Sequence, residues 1–324
     1  MALLASLGVG LPALAVESTI SESTISESMV SVQQTLVRMV DASRTLSYRG
    51  IATYEQGGTE RTVSVMRAMR GGRQLERLEY LDGPRRELIR KGKRGDCDPM
   101  ADRLLKGGVV PGGHAALERF ADHYRASFQD DDRVAGRVVK QIYLEPRDSY
   151  RYGHLLGVDA VSGLLLEDLV LDAREGIIER FKFANVEIGA SIDETASEPR
   201  SGSHTVVVAA SCVRPATPPE LEGVAPTWEA AWVPPGFVLI DPPQLSPGDA
   251  QEMHYTDGLG AFSVFIAPER VPLREVEVRR GATVVYLRHW RDASRSFVIS
   301  VVGELPAPVA KRIAEGVRPA PNRS

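Results

Sequence analysis

Residues able to bind a metal or to perform acid–base chemistry are few in this chain, and their spacing fits no common type of site. His114 and His123 lie nine positions apart, with Asp122 and Cys97 near them in the sequence. None of these four residues forms an i, i+4 pair or a Cys-x-x-Cys pair, the spacings on which zinc sites are commonly built. His254 is better explained as the end of a strand than as a catalytic residue. The sequence therefore predicts no metal site and no cofactor.

The motifs of the common enzyme classes are also missing. The chain contains no Gly-x-Ser-x-Gly elbow, no Walker loop, no dinucleotide fingerprint after a strand and no His-Glu-x-x-His motif. An exported hydrolase would need a nucleophile and a base within reach of each other, and no such pair can be named. We therefore predict a binding protein with no catalytic residues.

Composition narrows the class of partner. The chain has 39 Lys and Arg against 43 Asp and Glu, which gives a net charge of −4, and this argues against a general nucleic-acid-binding protein. The hydrophobic fraction of 43% and the charged fraction of 25% are those of a folded soluble protein. A chain of 324 residues is long enough for two domains.

The N-terminus predicts export. Residues 1–15 are apolar and end in Ala13-Leu14-Ala15, an Ala-x-Ala cleavage pattern. This run is shorter than the roughly 20 residues of a membrane-spanning helix, and no later segment is apolar enough to span a bilayer. Two cysteines, Cys97 and Cys212, fit an exported protein that does not depend on disulfides, and we favour two free thiols. The sequence alone does not decide whether they pair.

Residues 48–90 predict an antiparallel meander. Stretches with alternating apolar residues are interrupted there by two Gly-Gly pairs and one Asp-Gly pair, which are typical of tight turns. Such a sheet can cover a core, or it can line an apolar cavity that takes acyl chains. The candidates for the cavity lining, on one face or the other, are Tyr48, Ile51, Tyr54, Val63, Val65, Met66, Leu78 and Tyr80. Core packing would explain these residues equally well.

An amphipathic helix is predicted before the meander. Residues 31–34 form an acceptable capping box, and the following apolar residues recur with helical spacing. The residues that share this face are Val32, Leu36, Met39, Val40 and Ser43. The simplest packing places the helix on the meander. Residues 16–28, which repeat Ser-Thr-Ile-Ser-Glu, predict a disordered leader.

Strands dominate the rest of the chain. A second helix is predicted at residues 114–125, and a further helix at residues 308–315. The predicted strands after the meander are residues 134–144, 150–158, 164–172, 177–188, 237–240, 253–255, 262–266, 275–279, 283–290 and 296–302. Because these runs of strands do not alternate strictly with helices, we predict an α+β fold.

The composition divides the chain into segments. Residues 193–226 are rich in Pro and Ser and predict a linker, with a possible short strand at residues 206–210. The predicted segments are a signal peptide (1–15), the leader (16–28), an N-terminal domain (29–192), the linker (193–226), a small C-terminal domain (227–318) and a tail (319–324).

The basic residues at the end of the meander are the most distinctive charge feature. They are Arg85, Arg86, Arg90, Lys91, Lys93 and Arg94. They are interpreted either as the solvated flank of a loop or as a rim that binds anionic ligands, such as lipid head groups or an acidic peptide.

Several stretches in this order resemble the MucB/RseB family. Those in the first half are Tyr48-Arg-Gly50, residues 76–83, residues 86–90 and Asp148-Ser-Tyr-Arg-Tyr-Gly153. Those in the second half are Trp232-Val-Pro-Pro-Gly-Phe237, Tyr255-Thr-Asp-Gly-Leu259, residues 262–266 and residues 301–306. The resemblance covers about residues 30–190 and 228–316.

The resemblance implies both a fold and a function. The N-terminal domain would be a half-open antiparallel β-barrel with covering helices, like the carriers LolA and LolB, followed by a smaller α+β domain. The protein would be a periplasmic negative regulator of a sigma-E-type envelope stress response. It would bind the periplasmic part of a membrane-spanning anti-sigma factor (RseA/MucA-like), protect it from proteolysis, and respond to lipid or lipopolysaccharide. A lipid or lipoprotein carrier without an anti-sigma partner is the alternative.

Aromatic residues of the second domain are candidates for the contact with the anti-sigma factor, because aromatic side chains contribute disproportionately to interface energy. These candidates are Trp232, Phe237, Tyr255, Phe262 and Phe265. Packing in the core of the small domain is the other explanation for each of them.

Overall fold

A computed structural model shows two β-rich domains. The structure describes residues 22–70, 73–92, 121–192, 204–208, 228–239, 243–246, 250–270, 274–291 and 295–321. The predictions that concern the signal peptide, the two cysteines, His114, Lys93 and Arg94 lie outside these residues. Within the described part of the chain, no helix is long and apolar enough to cross a membrane.

The first element is helix α1 (Glu22–Thr45). It begins inside the segment predicted to be a disordered leader, seven residues before the predicted start at residue 29. Once a helix has formed, each added residue contributes one hydrogen bond for the two dihedral angles it fixes, so a well-anchored helix extends readily into such a segment. The anchor is the predicted apolar face, which is almost completely buried from Val32 to Ser43.

The N-terminal sheet is the larger of the two main sheets, with 11 strands. Its strands are β1 (Tyr48–Gln56), β2 (Thr59–Arg70), β3 (Arg73–Tyr80), β4 (Arg86–Gly92), β5 (Tyr124–Phe128), β6 (Asp132–Val134), β7 (Arg137–Pro146), β8 (Gly153–Asp159), β9 (Leu165–Leu171), β10 (Ile177–Ile188) and β11 (His204–Val208). Their order is β11-β4-β3-β2-β1-β10-β9-β8-β7-β5, with β6 beside β7. The two end strands of this 11-stranded sheet, β11 and β5, do not pair with each other, so the barrel stays open. The predicted half-open architecture is confirmed.

The predicted meander is confirmed as β1 to β4, each antiparallel to the next. Its first turn is Gly57-Gly58, where both residues have positive φ angles of 57° and 73°. Such angles are typical of the tight turn that matches the twist of a hairpin, and glycine adopts them without strain.

One detail of the N-terminal half differs from the prediction. Tyr124 and Arg125, predicted as the end of a helix, lie in β5, because Tyr124 is buried in a strand that pairs with β7. The possible short strand predicted inside the linker is present as β11, which joins the edge of the sheet parallel to β4. This short Val-rich strand pairs with backbone groups of β4 that would otherwise be unpaired at the edge of the sheet.

Helix α1 packs on a different part of the sheet from the one predicted. The core cluster beneath it is formed with β5, β7, β8 and β9, including Tyr124, Ile142, Leu144 and Leu156. The meander contributes instead to a second cluster with β9 and β10, in which Tyr48 and Phe183 are in edge contact. The sequence identifies the apolar face of α1, but it does not identify the strands that this face meets.

The C-terminal domain is a second antiparallel sheet with one helix. Its elements are β12 (Trp228–Ala230), β13 (Val238–Leu239), β14 (Gln244–Ser246), β15 (Ala250–Thr256), β16 (Ala261–Pro268), β17 (Val276–Arg280), β18 (Thr283–Arg291), β19 (Ser296–Glu304), α2 (Ala307–Glu315) and β20 (Val317–Pro319). The main sheet has the order β13-β15-β16-β19-β18-β17, with β14 beside β15. Strands β12 and β20 form a separate pair, which extends the domain into the predicted tail.

Helix α2 covers one face of the C-terminal sheet. It begins after Pro306, carries a proline in its first turn and ends before Gly316, a common pattern at helix termini. Its buried residues Val309 and Ile313 belong to one core cluster with Val264 and Ile299 of the sheet. Among the described residues no helix covers the opposite face, which we call the uncovered face. Its half-buried apolar residues are Phe265, Val285, Leu287, Val298 and Val302.

Candidate functional site

The structure brings together six of the eight residues predicted to line a cavity. Tyr48, Tyr54, Val63, Val65, Leu78 and Tyr80 belong to one cluster on the meander. The other two, Ile51 and Met66, point to the opposite face of the sheet because strand side chains alternate. Met66 packs near Ala68 and Ile192, and Ile51 lines a groove of about 410 Å³ with Arg49 and Asn185.

A buried charged residue, Arg67, lies beside the cluster on the meander. Arg67 is 3% exposed and lies opposite Tyr48 on β1 and Glu76 on β3. Burial raises the pKa of Tyr48 to about 12, although the neighbouring Arg67 guanidinium lowers it in part. The Nε of Arg67 is 3.8 Å from Glu76 Oε1, and among the described residues neither Nε nor Nη1 of Arg67 has a hydrogen-bond partner. A buried guanidinium with unused donors is an energetically costly arrangement.

The basic residues predicted to form a rim lie at two places in and beside β4 in the described part of the chain. Arg85 and Arg86 are exposed at the start of β4, where the Arg86 guanidinium lies 4.7 Å from the centre of the Tyr80 ring. Arg90 and Lys91 lie in the same strand, four or more residues farther on. At about 3.3 Å per residue, these two pairs are more than 10 Å apart. Their role in binding an anionic ligand stays a prediction.

Four of the five aromatic candidates for partner binding pack in the C-terminal domain. Phe237, Tyr255 and Phe262 are buried in the cluster under α2, and Trp232 is partly buried against it. The Arg312 guanidinium lies 3.8 Å from the centre of the Trp232 ring. Phe265 is the exception, because it lies on the uncovered face and contacts the ring of His254.

A cavity of about 340 Å³ lies between α1 and strands β7 and β8. Its lining mixes charged residues, among them Arg38 and Lys140, with Phe128 and Val158. None of the predicted lining residues belongs to it. In the described residues no group of three or more His, Cys, Asp or Glu side chains could hold a metal.

The two domains meet through a buried ion pair. Arg151 Nη1 donates to Asp257 Oδ2 across the interface at 2.6 Å, and both side chains are at most 1% exposed. Tyr124 also donates to Asp257, at 3.3 Å, and burial next to this carboxylate raises the pKa of Tyr124 well above its usual value. Burial acts to lower the pKa of Arg151, but Asp257 and Asp148 outweigh it and the pKa is raised. Arg151 therefore stays protonated.

A second polar contact lies at the tip of the β17–β18 turn. The carboxylate of Glu179 accepts from Gln56 Nε2 and from the backbone N–H of Ala282, both at 2.8 Å. Tyr54 donates to the same carboxylate at 3.0 Å. Apolar packing surrounds this contact, because Ala282 is buried against Tyr152 and Val170. Glu179 thus joins residues of both domains at one point.

Both domains match known protein families. The family model of the MucB/RseB N-terminal domain matches residues 31–201, and that of the MucB/RseB C-terminal domain matches residues 223–318. This chain belongs to the MucB/RseB family. The match confirms the resemblance that the sequence motifs indicated.

Relatives and solved structures of the MucB/RseB family resemble the chain over almost its full length. The chain is 32% identical to the sigma factor AlgU regulatory protein MucB of Pseudomonas aeruginosa, over 88% of this chain and 90% of that protein. It is 25% identical to the sigma-E factor regulatory protein RseB of Escherichia coli, over 87% and 89%. A crystal structure of MucB in complex with MucA(peri) superposes with a TM-score of 0.69 at 30% identity, over 90% and 99%. Because these relatives are regulatory proteins, the prediction of a non-enzymatic protein is confirmed.

The interdomain contacts of this MucB/RseB chain were not foreseen as such. Two of the stretches that carry the family resemblance, residues 148–153 and Tyr255 to Leu259, meet at the interface through Arg151 and Asp257. The signal was therefore present in the sequence as two separate motifs. What the sequence did not contain was their contact, which spans 106 positions.

Proposed function

We propose that this chain is a periplasmic negative regulator of a sigma-E-type envelope stress response, and that it binds the periplasmic part of a membrane-spanning anti-sigma factor. The observation that carries the proposal is the match of both domains to a MucB chain that was solved in complex with MucA(peri). The match covers 90% of this chain, so it includes both domains and the interface between them. The apolar N-terminal run of the sequence supports export.

The interface between the domains supports binding by the chain as one body. Buried polar contacts at Asp257 and Glu179 fix how the domains meet. Leu259 of the C-terminal domain packs in the core cluster beneath α1. A partner that contacts both domains would therefore meet a preformed surface, which reduces the entropy lost on binding.

Phe265 is our choice among the five aromatic candidates for a contact with the anti-sigma factor. It lies on the uncovered face, where half-buried apolar residues adjoin one another. Phe262, in contrast, is 2% exposed in the core, and its substitution would test folding rather than binding. Large aromatic residues on such faces are common centres of binding energy.

The test is a binding titration with the periplasmic segment of the cognate anti-sigma factor. The full chain should bind, and Phe265→Ala should weaken binding about tenfold, which corresponds to about 1.4 kcal/mol. Val161→Ala is the control, because Val161 is 81% exposed on the N-terminal domain. Failure of the full chain to bind would overturn the proposed function. Equal binding by Phe265→Ala would remove only the contact assigned to this residue.

Protection from proteolysis is the regulatory part of the proposal. A bound chain should slow cleavage of the anti-sigma segment by the protease that initiates its degradation. The measurement is the initial cleavage rate at saturating and at zero concentrations of the chain. An unchanged rate at full occupancy would show a binding protein that does not regulate.

We also propose that an amphiphilic lipid binds the cluster on the meander. One of the six clustered residues, Tyr48, lies opposite Arg67, and the Arg67 donors without a partner among the described residues fit an anionic head group. Lipopolysaccharide or an acyl phospholipid should then displace the anti-sigma segment, and a tenfold loss of affinity requires about 1.4 kcal/mol of coupling. Absence of displacement would count against sensing. Acyl lipid that co-purifies with the chain, together with no anti-sigma binding, would favour a carrier instead.

A further inference from the structure

The cavity of about 340 Å³ between α1 and strands β7 and β8, which we call the α1 cavity, has the size of a small-molecule site. Cavities that bind small ligands typically have volumes of about 300–1,000 Å³. The lining of the α1 cavity comes from α1, β5, β7, β8 and the turns beside these strands. The charges and the apolar groups of this lining indicate which ligand fits.

One of the four charged side chains that line the α1 cavity has no partner of opposite charge in the described part of the chain. Lys140 Nζ is 2.6 Å from Asp131 Oδ2, so these two charges neutralise each other. Asp159 is paired with Arg137, at distances of 2.7 and 3.0 Å. The charge that remains is the guanidinium of Arg38. A ligand that neutralises the cavity therefore carries one negative charge.

Backbone groups hold the Arg38 guanidinium in place. Its Nη2 donates to the carbonyl oxygens of Ala160 and Val161, at 3.3 and 2.9 Å. Its Nε and Nη1 carry further N–H groups, which have no acceptor among the described residues. The backbone of α1 lies close to the same turn, because a Cβ at Gly163 would be 3.0 Å from the Arg38 carbonyl oxygen. A donor that is held in this way loses little entropy when it binds an anion.

The apolar part of the lining is small. Its larger side chains are Phe128, which is half-buried, and Val158, which is 1% exposed. A long acyl chain in this cavity would also cover charged side chains and remove their solvation, which is costly. An aromatic ring fits the surface better, because aromatic rings pack favourably against each other through their edges and faces.

We propose that the α1 cavity binds a small organic molecule that carries one carboxylate and one compact apolar group. The carboxylate accepts hydrogen bonds from the Arg38 guanidinium, and the apolar group packs on Phe128 and Val158. This inference is independent of the anti-sigma partner. The site is also separate from the cluster on the meander, because the α1 cavity and that cluster share no residue.

The test is isothermal titration calorimetry of the full chain with hydrocinnamate, a carboxylate that carries one aromatic ring. The wild type should bind it saturably. Hydrocinnamamide, which has the same shape without the charge, should bind at least about tenfold more weakly, and Arg38→Met should weaken the binding of hydrocinnamate by the same factor. Decanoate should bind more weakly than hydrocinnamate. Arg44→Met, which changes an exposed arginine in the last turn of α1, is the control and should bind like the wild type.

Arg38→Lys separates the charge of Arg38 from its contacts with the turn. It keeps the positive charge and loses the planar guanidinium, so it should bind hydrocinnamate more weakly than the wild type and more tightly than Arg38→Met. No saturable binding by the wild type, or equal binding of the amide, would overturn the proposal. Binding that Arg38→Met leaves unchanged would overturn the assignment to the α1 cavity. Tighter binding of decanoate would overturn the compact apolar group.

Discussion

At the residue scale, one buried carboxylate holds the domain interface together. Asp257 Oδ1 accepts the backbone N–H groups of Leu259 and Gly260 at 2.9 and 2.8 Å, while its Oδ2 faces Arg151 and Tyr124. The carboxylate thus closes a turn of its own domain and pairs with the other domain. Removing one partner of such a pair leaves a buried charge uncompensated, which is more costly than losing an exposed pair.

We predict that Arg151→Met lowers the free energy of unfolding by about 3–5 kcal/mol. The matched control is Arg125→Met, because Arg125 and Glu145 form a surface ion pair of 2.7 Å with both side chains largely exposed. This control should cost less than about 1 kcal/mol. Urea denaturation of both variants measures the difference. Similar losses in the two variants would contradict a special role for the buried pair.

Asp159 provides a prediction about acid stability. Burial acts to raise the pKa of Asp159, but hydrogen bonds from Arg137 and Ser162 outweigh it and lower the pKa below its usual value. A carboxyl with a lowered pKa in the folded state contributes stability above its unfolded pKa, and this contribution is lost as pH falls through the folded pKa. Arg137 forms the two-pronged contact, with distances of 2.7 and 3.0 Å.

We therefore expect the stability difference between wild type and Asp159→Asn to be constant above about pH 5 and to shrink as the pH falls below about 4. The free energy of unfolding of each protein is measured by urea titration at a series of pH values. The series starts above about pH 5 and ends at the lowest pH at which the protein is still folded. Asp131→Asn is the control, because its ion pair with Lys140 is exposed. A difference that grows on acidification would contradict the direction of the pKa shift.

At the element scale, the sequence predictions were accurate where the conformation of a residue depends on residues close to it in the sequence. Strands β10 and β19 were predicted closely, because the alternation between buried and less buried positions follows from the residues of one strand. Tyr124 was assigned to a helix because its spacing from earlier apolar residues fits one. Its strand conformation depends on β7 and on Asp257, which lies 133 positions away. Contacts of this kind are absent from a local pattern.

The candidate site shows the same limit. Strand alternation places Tyr48 and Tyr54 on one face of β1 and Ile51 on the other, as the structure shows. The face of β1 that is buried is the one that packs with residues of β9 and β10. These strands are distant in the sequence, so a local pattern does not show which face that is. The aromatic residues were equally ambiguous. Phe262 and Phe265 lie three positions apart, and therefore on opposite faces of β16, and only the position of α2 shows which face is buried.

The turn between β17 and β18 gives a prediction for a single element. Gly281 has a φ of +57°, and a Cβ at this position would lie 2.4 Å from Glu179 Oε1. Gly58, in the β1–β2 turn, has a φ of +73° with no atom within 4 Å of its Cβ position. Alanine should therefore be strained at both positions by about 1–2 kcal/mol, while Gly281→Ala must also displace Glu179.

We expect Gly281→Ala to destabilise the protein by about 1–3 kcal/mol more than Gly58→Ala. Thermal unfolding of the two variants, followed by circular dichroism, provides the comparison. Since both glycines lie in hairpin turns with positive φ, the backbone strain largely cancels between them. Equal melting temperatures would mean that the turn tip does not press against the N-terminal domain.

At the scale of the whole molecule, two separate cores are joined by a small interface. The clusters beneath α1 and on the meander belong to the N-terminal domain, apart from Leu259, and the cluster beneath α2 belongs almost entirely to the C-terminal domain. The ion pair of Arg151 lies at one point of the interface and the Gly281 turn at another. Whether the domains unfold together depends on these few contacts, because each domain has a core of its own.

The positions of the tryptophans make this dependence measurable. Trp228, Trp232 and Trp290 are the three tryptophans of the chain, and all lie in the C-terminal domain. Fluorescence therefore reports the unfolding of that domain, whereas far-ultraviolet circular dichroism reports the strands of both. Coincident transitions by two such probes indicate cooperative unfolding.

We predict that the two transitions in urea coincide in the wild type and separate in the double variant Arg151→Met with Gly281→Ala. These substitutions weaken two points of the interface and leave both cores intact, so each domain should then unfold at its own urea concentration. Arg125→Met with Gly58→Ala is the matched control and should keep the transitions together. Coincident transitions in the double variant would show that the apolar contacts around Tyr152 and Leu259 are sufficient to couple the domains.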